Sequence, residues 1–293
     1  MLARTLSRTL RPRAARAFTS APNLLGDLEG KVIVNAGAGN PPAEGHGIGA
    51  TTSLVLARHG AKVVSVSNVA ENCETVTDAI KAEGNEGMSH VADCTQRADV
   101  DALVAAATAE YGKVDVLINS GIHSALPMGF GKMTEDAWHT GIALNLHAHF
   151  NLIHGFLPAF LEQGHGNIIH FTTIASSVGL GIGNQRHAYA AGKSAAATLT
   201  KRIGVENAKK GLRANVVGIG YVTGPLVNRA VAQAGADIGA VTAVRDAYVP
   251  RGTQIVPEEI ANVAAFLASD ASAAVNGTEL YADGGSAGCT YGP

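Results

Sequence analysis

The sequence predicts an α/β fold: a single Rossmann-type, doubly wound parallel sheet with helices on both faces. Three observations predict it. From Gly30 onward, short apolar runs alternate with helix-length segments, and strands covered on both faces need that nearly continuous apolar character. No linker, repeat or low-complexity stretch divides residues 27–293, so they are read as one domain. Glycine supplies 35 of the 293 residues, well above a usual share of about 7 %, and its densest cluster follows the first apolar run.

The elements follow in order. Strands are read at Lys31–Val34, Ala61–Val66, Asp115–Asn119, Asn167–Thr172, Ala214–Val217 and Glu279–Ala282, with a weaker one at Met88–Ala92. Helices are read near 47–59, 71–83, 97–111, 134–162, 187–210 and 257–268. A repeated β-then-α order implies right-handed crossovers and therefore a parallel sheet. The longest uninterrupted apolar run falls short of the ~20 residues of a membrane span. Three cysteines, Cys73, Cys94 and Cys289, form no metal-like pair and point to a reducing compartment.

The charge is unevenly distributed. The whole chain has 22 basic and 24 acidic residues for a net −2, which disfavours a general nucleic-acid binder. Residues 1–26 hold Arg4, Arg8, Arg11, Arg13 and Arg16 and no acid. Arg4, Arg8 and Arg11 share one helical face, and Leu2, Leu6 and Leu10 another. Such an arginine-rich, acid-free amphipathic start reads as a mitochondrial transit peptide. Cleavage after Phe18 would leave 17 basic residues against 24 acidic ones, a net −7. The expected location is the mitochondrial matrix.

The first strand runs into Gly37-Ala38-Gly39-Asn40-Pro41-Pro42-Ala43-Glu44-Gly45-His46-Gly47-Ile48-Gly49, and a helix follows. Glycines at a strand-to-helix turn let backbone approach a pyrophosphate, and the helix N-terminus offers N–H groups and positive potential. The reading is a dinucleotide site including Gly37, Gly47, Ile48 and Gly49. A ribose partner is expected at the end of the second strand. There the chain has Ser67-Asn68, neither acidic nor basic. The missing acid leans the cofactor towards NADP over NAD.

Tyr189-Ala190-Ala191-Gly192-Lys193 starts a helical stretch, and an i, i+4 spacing puts phenol and ammonium on one face. A nearby cation favours phenolate and lowers a tyrosine pKa from about 10. Tyr189 is thus a candidate general acid/base for hydroxyl–carbonyl interconversion.

In this company the chain resembles a short-chain dehydrogenase/reductase of the Tyr-x-x-x-Lys type, over about residues 28–287. The matching features are Gly47-Ile48-Gly49, Asp93 after the third strand, and Asn119-Ser120-Gly121 in place of the family's Asn-Asn-Ala-Gly. Asn145 in Leu144-Asn145-Leu146 and the tail from Asn276-Gly277 to Asp283-Gly284-Gly285 complete the match. The resemblance implies that Tyr189 exchanges a proton with the substrate oxygen. It implies that Lys193 holds the nicotinamide ribose and depresses the tyrosine pKa, and that Asn145 anchors a relay water. Asp93, Asn119, Gly121, Gly220 and Val222 would line the cofactor. An active-site hydroxyl comes from Ser176, 13 residues before Tyr189 as the family spacing prefers, or from Thr173 if the strand is aligned instead.

Four features depart from the family pattern, all around the dinucleotide. The first turn has nine residues where three are usual, Asn119-Ser120-Gly121 is one residue short, Ile219-Gly220 replaces Pro-Gly, and Gly224 replaces an expected threonine. His147, His149 and His154 are read as ordinary helix histidines, because zinc needs three or four converging ligands. Residues 222–253, with Leu226, Val227, Val231, Ile238, Val241 and Tyr248, are expected to cover a partly apolar small-molecule substrate. The expected activity interconverts a secondary alcohol and a ketone. A 3-oxoacyl-carrier-protein reductase and a non-catalytic dinucleotide-binding subunit are the alternatives. The resemblance also implies a homo-oligomer, a tetramer or dimer.

Overall fold

The computed structural model describes residues 28–39, 45–121, 129–177 and 186–288. The leader read at residues 1–26 lies outside them, as do 40–44 of the stretched turn and Cys289. Seven parallel strands form one sheet in the order β3-β2-β1-β4-β5-β6-β7: β1 Val32–Ala36, β2 Lys62–Ser67, β3 Gly87–Val91, β4 Val116–Asn119, β5 Gly166–Thr173, β6 Leu212–Ile219 and β7 Glu279–Ala282. The order reverses between β1 and β4, where β1 pairs with both β2 and β4. Ligands of doubly wound sheets bind outside the carboxyl ends of strands at such a switch point.

Successive strand residues point to opposite faces, and the two cores follow that alternation. Ile33, Val63, Ile118, Ile169 and Val217 pack under α1 (Ile48–Arg58), α2 (Ala70–Ala82) and α9 (Pro257–Ala268). Val32, Val34, Val64, Leu117 and Ile168 pack on the other face under α3 (Arg97–Tyr111) and α5 (Ala148–Gln163). Phe156 and Phe160 of α5 fill that second core. Among the described residues no helix is long and apolar enough to cross a membrane.

Two differences from the sequence reading bear on the site. The helix expected over 134–162 is α4 (Glu135–Ile142), a π-helical turn Ala143–His147, then α5. A π turn inserts one residue into the helical ladder and is found mostly at functional sites; this one contains Asn145. The cover over 222–253 is helical, with α7 (Pro225–Gln233) and α8 (Ile238–Ala247). The intervening long helix, α6 (His187–Asn207), packs on β5 and β6.

Candidate active site

The carboxyl ends of β1, β2, β3, β4, β5 and β6 gather most of the residues singled out from sequence. Gly37 follows β1 with φ +92°, a conformation glycine adopts without strain. A Cβ on Gly37 would overlap the backbone of Gly121, and one on Gly49 would overlap the Gly37 carbonyl oxygen. The turn, the start of α1 and the end of β4 are therefore packed backbone to backbone. Helix α1 begins with Gly47 as its N-cap, a residue with no side chain to cap the first turn, and that turn contains no acid. That surface fits a pyrophosphate.

A buried polar network supports this turn from below. Asn35 Nδ2 donates to the Gly49 carbonyl and to Ser53 Oγ, both at 2.9 Å. Ser120 Oγ donates to Asn35 Oδ1 at 2.7 Å. Asn35 was not singled out from sequence; a polar residue inside the apolar run Val32-Ile33-Val34-Asn35-Ala36 was the available signal. At the adjoining strand ends, Ser67 Oγ accepts from the Val69 amide and Asn68 is exposed. Asp93 Oδ1 accepts from the amide and hydroxyl of Thr95, which fixes the turn after β3. Gly220 follows β6, its amide donating to the Ala282 carbonyl, and Val222 bridges to Ile255.

The chemical groups lie between β5, α6 and the π turn. Tyr189, Lys193 and Asn145 are all buried. Gly192 lets α6 approach the π turn: a Cβ there would stand 2.9 Å from that of Asn145. Asn145 Nδ2 donates to the Gly141 carbonyl at 2.9 Å. The Lys193 ammonium donates to the carbonyls of Gly121 at 2.7 Å and Phe171 at 2.8 Å. It thereby joins α6 to the ends of β4 and β5.

Both hydroxyl candidates belong to this end of β5, in different surroundings. The Thr173 side chain is the hydroxyl that acts on the Tyr189 phenol, favouring its ionised form. Ser176 Oγ donates to the Thr173 carbonyl at 2.6 Å and lies 3.1 Å from Thr172 Oγ1. Thr173, the alternative offered by strand alignment, is thus the candidate whose side chain influences the phenol, while its Oγ1 accepts from the Ala175 amide at 3.2 Å.

The electrostatics differ from the sequence expectation in one respect. Burial pushes the Tyr189 phenol up to about 12, against the opposing effects of the Thr173 hydrogen bond and the Arg186 guanidinium. The Lys193 charge is turned towards two carbonyls instead of the phenol. Burial also lowers Lys193 itself to about 7. The cation that acts on the phenol is Arg186, one helical turn before it, a residue the sequence reading passed over. Cys94 is pushed up to about 12 by burial and neighbouring Asp93 and Asp99, which leaves it an inert thiol.

His149 is buried beside Asn119 and Thr200, while His154 contacts Arg97. Among the described residues no cluster of three metal-ligating side chains occurs.

Known proteins resemble the chain along nearly all its length. The profile of the family described as Enoyl-(Acyl carrier protein) reductase matches residues 42–287. The chain is 36 % identical over 241 residues to cis-4-hydroxycyclohexanecarboxylate dehydrogenase of Sinomonas cyclohexanicum, covering 82 % of this chain and 92 % of that protein. It is 32 % identical over 262 residues to the 3-oxoacyl-[acyl-carrier-protein] reductase FabG of Escherichia coli, covering 88 % and 98 % respectively. Among solved structures, a gluconate 5-dehydrogenase from Burkholderia cenocepacia in complex with NADP and tartrate superposes with a TM-score of 0.80 at 28 % identity. That match covers 91 % of this chain and 99 % of the other.

Proposed function

The chain belongs to the short-chain dehydrogenase/reductase family of NAD(P)-dependent oxidoreductases, and from that premise we propose that it interconverts a secondary alcohol and a ketone with Tyr189 as general acid/base. The observation that carries this reading is the meeting of Tyr189, Thr173, Lys193 and Asn145 beside the glycine cradle. The cis-4-hydroxycyclohexanecarboxylate for which the Sinomonas relative is named bears its hydroxyl on a secondary ring carbon, in keeping with the same chemistry here.

The residues present fit a dinucleotide. The Gly37–Gly49 cradle and the first turn of α1 would hold the pyrophosphate, and Ser67, Asn68 and Asp93 would line the adenosine end. Asn119 and Gly121 would border the nicotinamide half, with Gly220 and Val222 beyond it. Tyr189 and Lys193 would hold the nicotinamide ribose. When bound, the nicotinamide supplies or accepts the hydride. The absence of an acid at Ser67-Asn68 supports NADP over NAD, because a carboxylate there would repel a 2′-phosphate.

In the reducing direction the buried Tyr189 phenol is protonated at neutral pH, the form a general acid must have. It gives that proton to the substrate oxygen, to which the Thr173 hydroxyl also hydrogen-bonds. Lys193, held by the Gly121 and Phe171 carbonyls, would bind the nicotinamide ribose, while the Arg186 guanidinium favours the resulting phenolate. The phenolate regains its proton through a relay in which Lys193 gives up an ammonium proton and recovers one from solvent by way of a water that Asn145 in the π turn would hold. Oxidation runs the same proton transfers backwards.

The arginine-rich leader supports import into the mitochondrial matrix, and a fluorescent fusion of residues 1–26 should be sufficient for it. The family resemblance supports a homo-oligomer, which light scattering of the mature protein would read directly. The central test is titration with NADH and NADPH, followed by turnover on a panel of cyclic ketones, hydroxy acids and acetoacetyl thioesters. The expected outcome is NADPH-dependent reduction that Tyr189→Phe lowers by at least about 10³-fold while cofactor binding persists. Binding without turnover would favour a non-catalytic subunit, and preference for the thioester would favour the carrier-protein reductase.

A further inference from the structure

Beneath the site two imidazoles lie against each other in the core. His149 on α5 and His170 on β5 are both 0 % exposed, with ring centroids 4.0 Å apart and planes tilted by 32°. Neither ring nitrogen of His170 has a hydrogen-bond partner among the described residues. His149 differs, because both its nitrogens are engaged. Nδ1 lies 3.0 Å from Asn119 Nδ2, and Nε2 lies 2.7 Å from Thr200 Oγ1.

The proton directions in this chain are fixed from its ends. Asn119 Oδ1 accepts from the Gly121 amide at 3.2 Å, so its amide nitrogen faces His149 and donates to Nδ1. The His149 proton therefore resides on Nε2 and is donated to Thr200 Oγ1. Thr200 in turn donates to the Ala196 carbonyl at 2.8 Å. At the other end, the Gly121 carbonyl accepts from Lys193. An unbroken run thus leads from the α6 backbone through Thr200, His149, Asn119 and Gly121 to Lys193 on the same helix.

We infer that His149 is a positioning residue: as a neutral imidazole bridging Thr200 to Asn119, it fixes the Gly121 carbonyl that holds the Lys193 ammonium. Its relevance to turnover rests on the reading of Lys193 proposed above. An imidazolium could not accept from Asn119, so protonation of His149 would break the run. Burial and the Lys193 charge exclude that form near neutrality, holding His149 down at about 3. The titratable or charged groups that face His149 are His170 from β5 and Lys193 from α6, while Asn119 from β4 and Thr200 from α6 are its neutral partners. Burial keeps His170 neutral as well, and the Lys193 charge acts in the same direction. Tyr189 precedes Lys193 by one turn of α6.

The test reads Lys193 directly. In full-length protein without cofactor, labelled at lysine Cε with ¹³C and assigned with Lys193→Met, NMR gives the titration midpoint of Lys193, expected near 7. Loss of one carbonyl acceptor destabilises the ammonium, so His149→Leu lowers the midpoint by about one pH unit. Gln keeps an acceptor and a donor on one side chain, so His149→Gln moves it less than half as far. Thr200→Val shifts it in the same downward direction. His170→Phe, which keeps a ring against His149, leaves it in place. The inference is overturned if neither His149 variant moves the midpoint, or if His170→Phe moves it as far as His149→Leu does. Should His149→Leu fail to fold, His149→Gln and Thr200→Val decide the matter.

An activity arm separates this inference from the proposed reaction. With a carbonyl substrate in hand, the pH limb of kcat set by Lys193 should move downward in step with the NMR midpoint. A shifted midpoint in a protein without turnover would leave the positioning role intact and remove the proposed reaction. Turnover abolished by Tyr189→Phe with an unmoved midpoint would do the reverse.

Discussion

Thr173 and Ser176 show how much a single residue's role depends on where its oxygen points. Counting back from Tyr189 favours Ser176, and strand alignment favours Thr173. The folded chain turns Ser176 Oγ to the Thr173 carbonyl, and it is the Thr173 side chain that acts on the phenol. We therefore expect Thr173→Val to lower kcat by about 10²-fold or more, the loss seen when a donor to a reacting oxygen is removed. Ser176→Ala should stay within about threefold of wild type. Steady-state kinetics of the two variants would reject the assignment if their order were reversed. The tyrosine pKa illustrates the same dependence. Spacing puts Lys193 on the face of Tyr189, but burial raises the phenol to about 12 and the ammonium is spent on two carbonyls. Sequence spacing gives proximity along a helix and says nothing of what the rest of the fold brings to the same groups.

At the scale of elements, the strand-to-helix turn was legible because its glycines are themselves the signal. Its support was not, since Asn35, Ser53 and Ser120 come from three separate elements. Gly49→Ala would force a Cβ onto the Gly37 carbonyl, a backbone atom that cannot swing aside. The expected result is at least a tenfold weaker NADPH affinity, read by fluorescence titration, with an unchanged circular dichroism spectrum. Asn35→Val removes the bonds to Ser53 and the Gly49 carbonyl and leaves the Ser120 hydroxyl with only the longer contact to the Ala36 carbonyl. That should cost about 1–3 kcal/mol, measured by urea unfolding; a neutral result would show that water replaces the amide. The helix read over 134–162 was right in extent, yet its π turn was invisible because Ala143–His147 contains no proline or paired glycine to mark it. Helices α7 and α8 lie on the surface, and α8 has no buried residue; the sequence reading named their apolar residues as cover without assigning them to helices.

For the whole molecule, two buried neutral histidines make folding sensitive to acid. His149 is held at about 3 in the folded protein against 6.5 when free. Below pH 6.5 the unfolded chain therefore takes up a proton that the folded one refuses, and stability falls until about pH 3. Above pH 6.5 this contribution is constant. Between pH 6.5 and 5 His149 alone should remove about 2 kcal/mol, and His170 is shifted in the same direction. Urea unfolding at pH 7 and pH 5 should show the loss, and His149→Gln should make it smaller. Equal losses in the two proteins would mean that other groups govern acid unfolding.

The sequence by itself determined the seven strands, their parallel order and the position of the glycine turn. Each of these is written in local pattern: apolar runs long enough to be covered twice, glycines where backbone must approach backbone, and a tyrosine and lysine four residues apart. It also carried the arginine-rich start that is read as a leader. Only the tertiary structure decided which hydroxyl meets the phenol, which carbonyls hold the ammonium, and that His149 stands behind them. Those relations join β4, β5, α5 and α6 across gaps of up to 72 residues, as between Gly121 and Lys193. Packing sets them, because a buried polar group must find its partner in whatever element the fold places beside it.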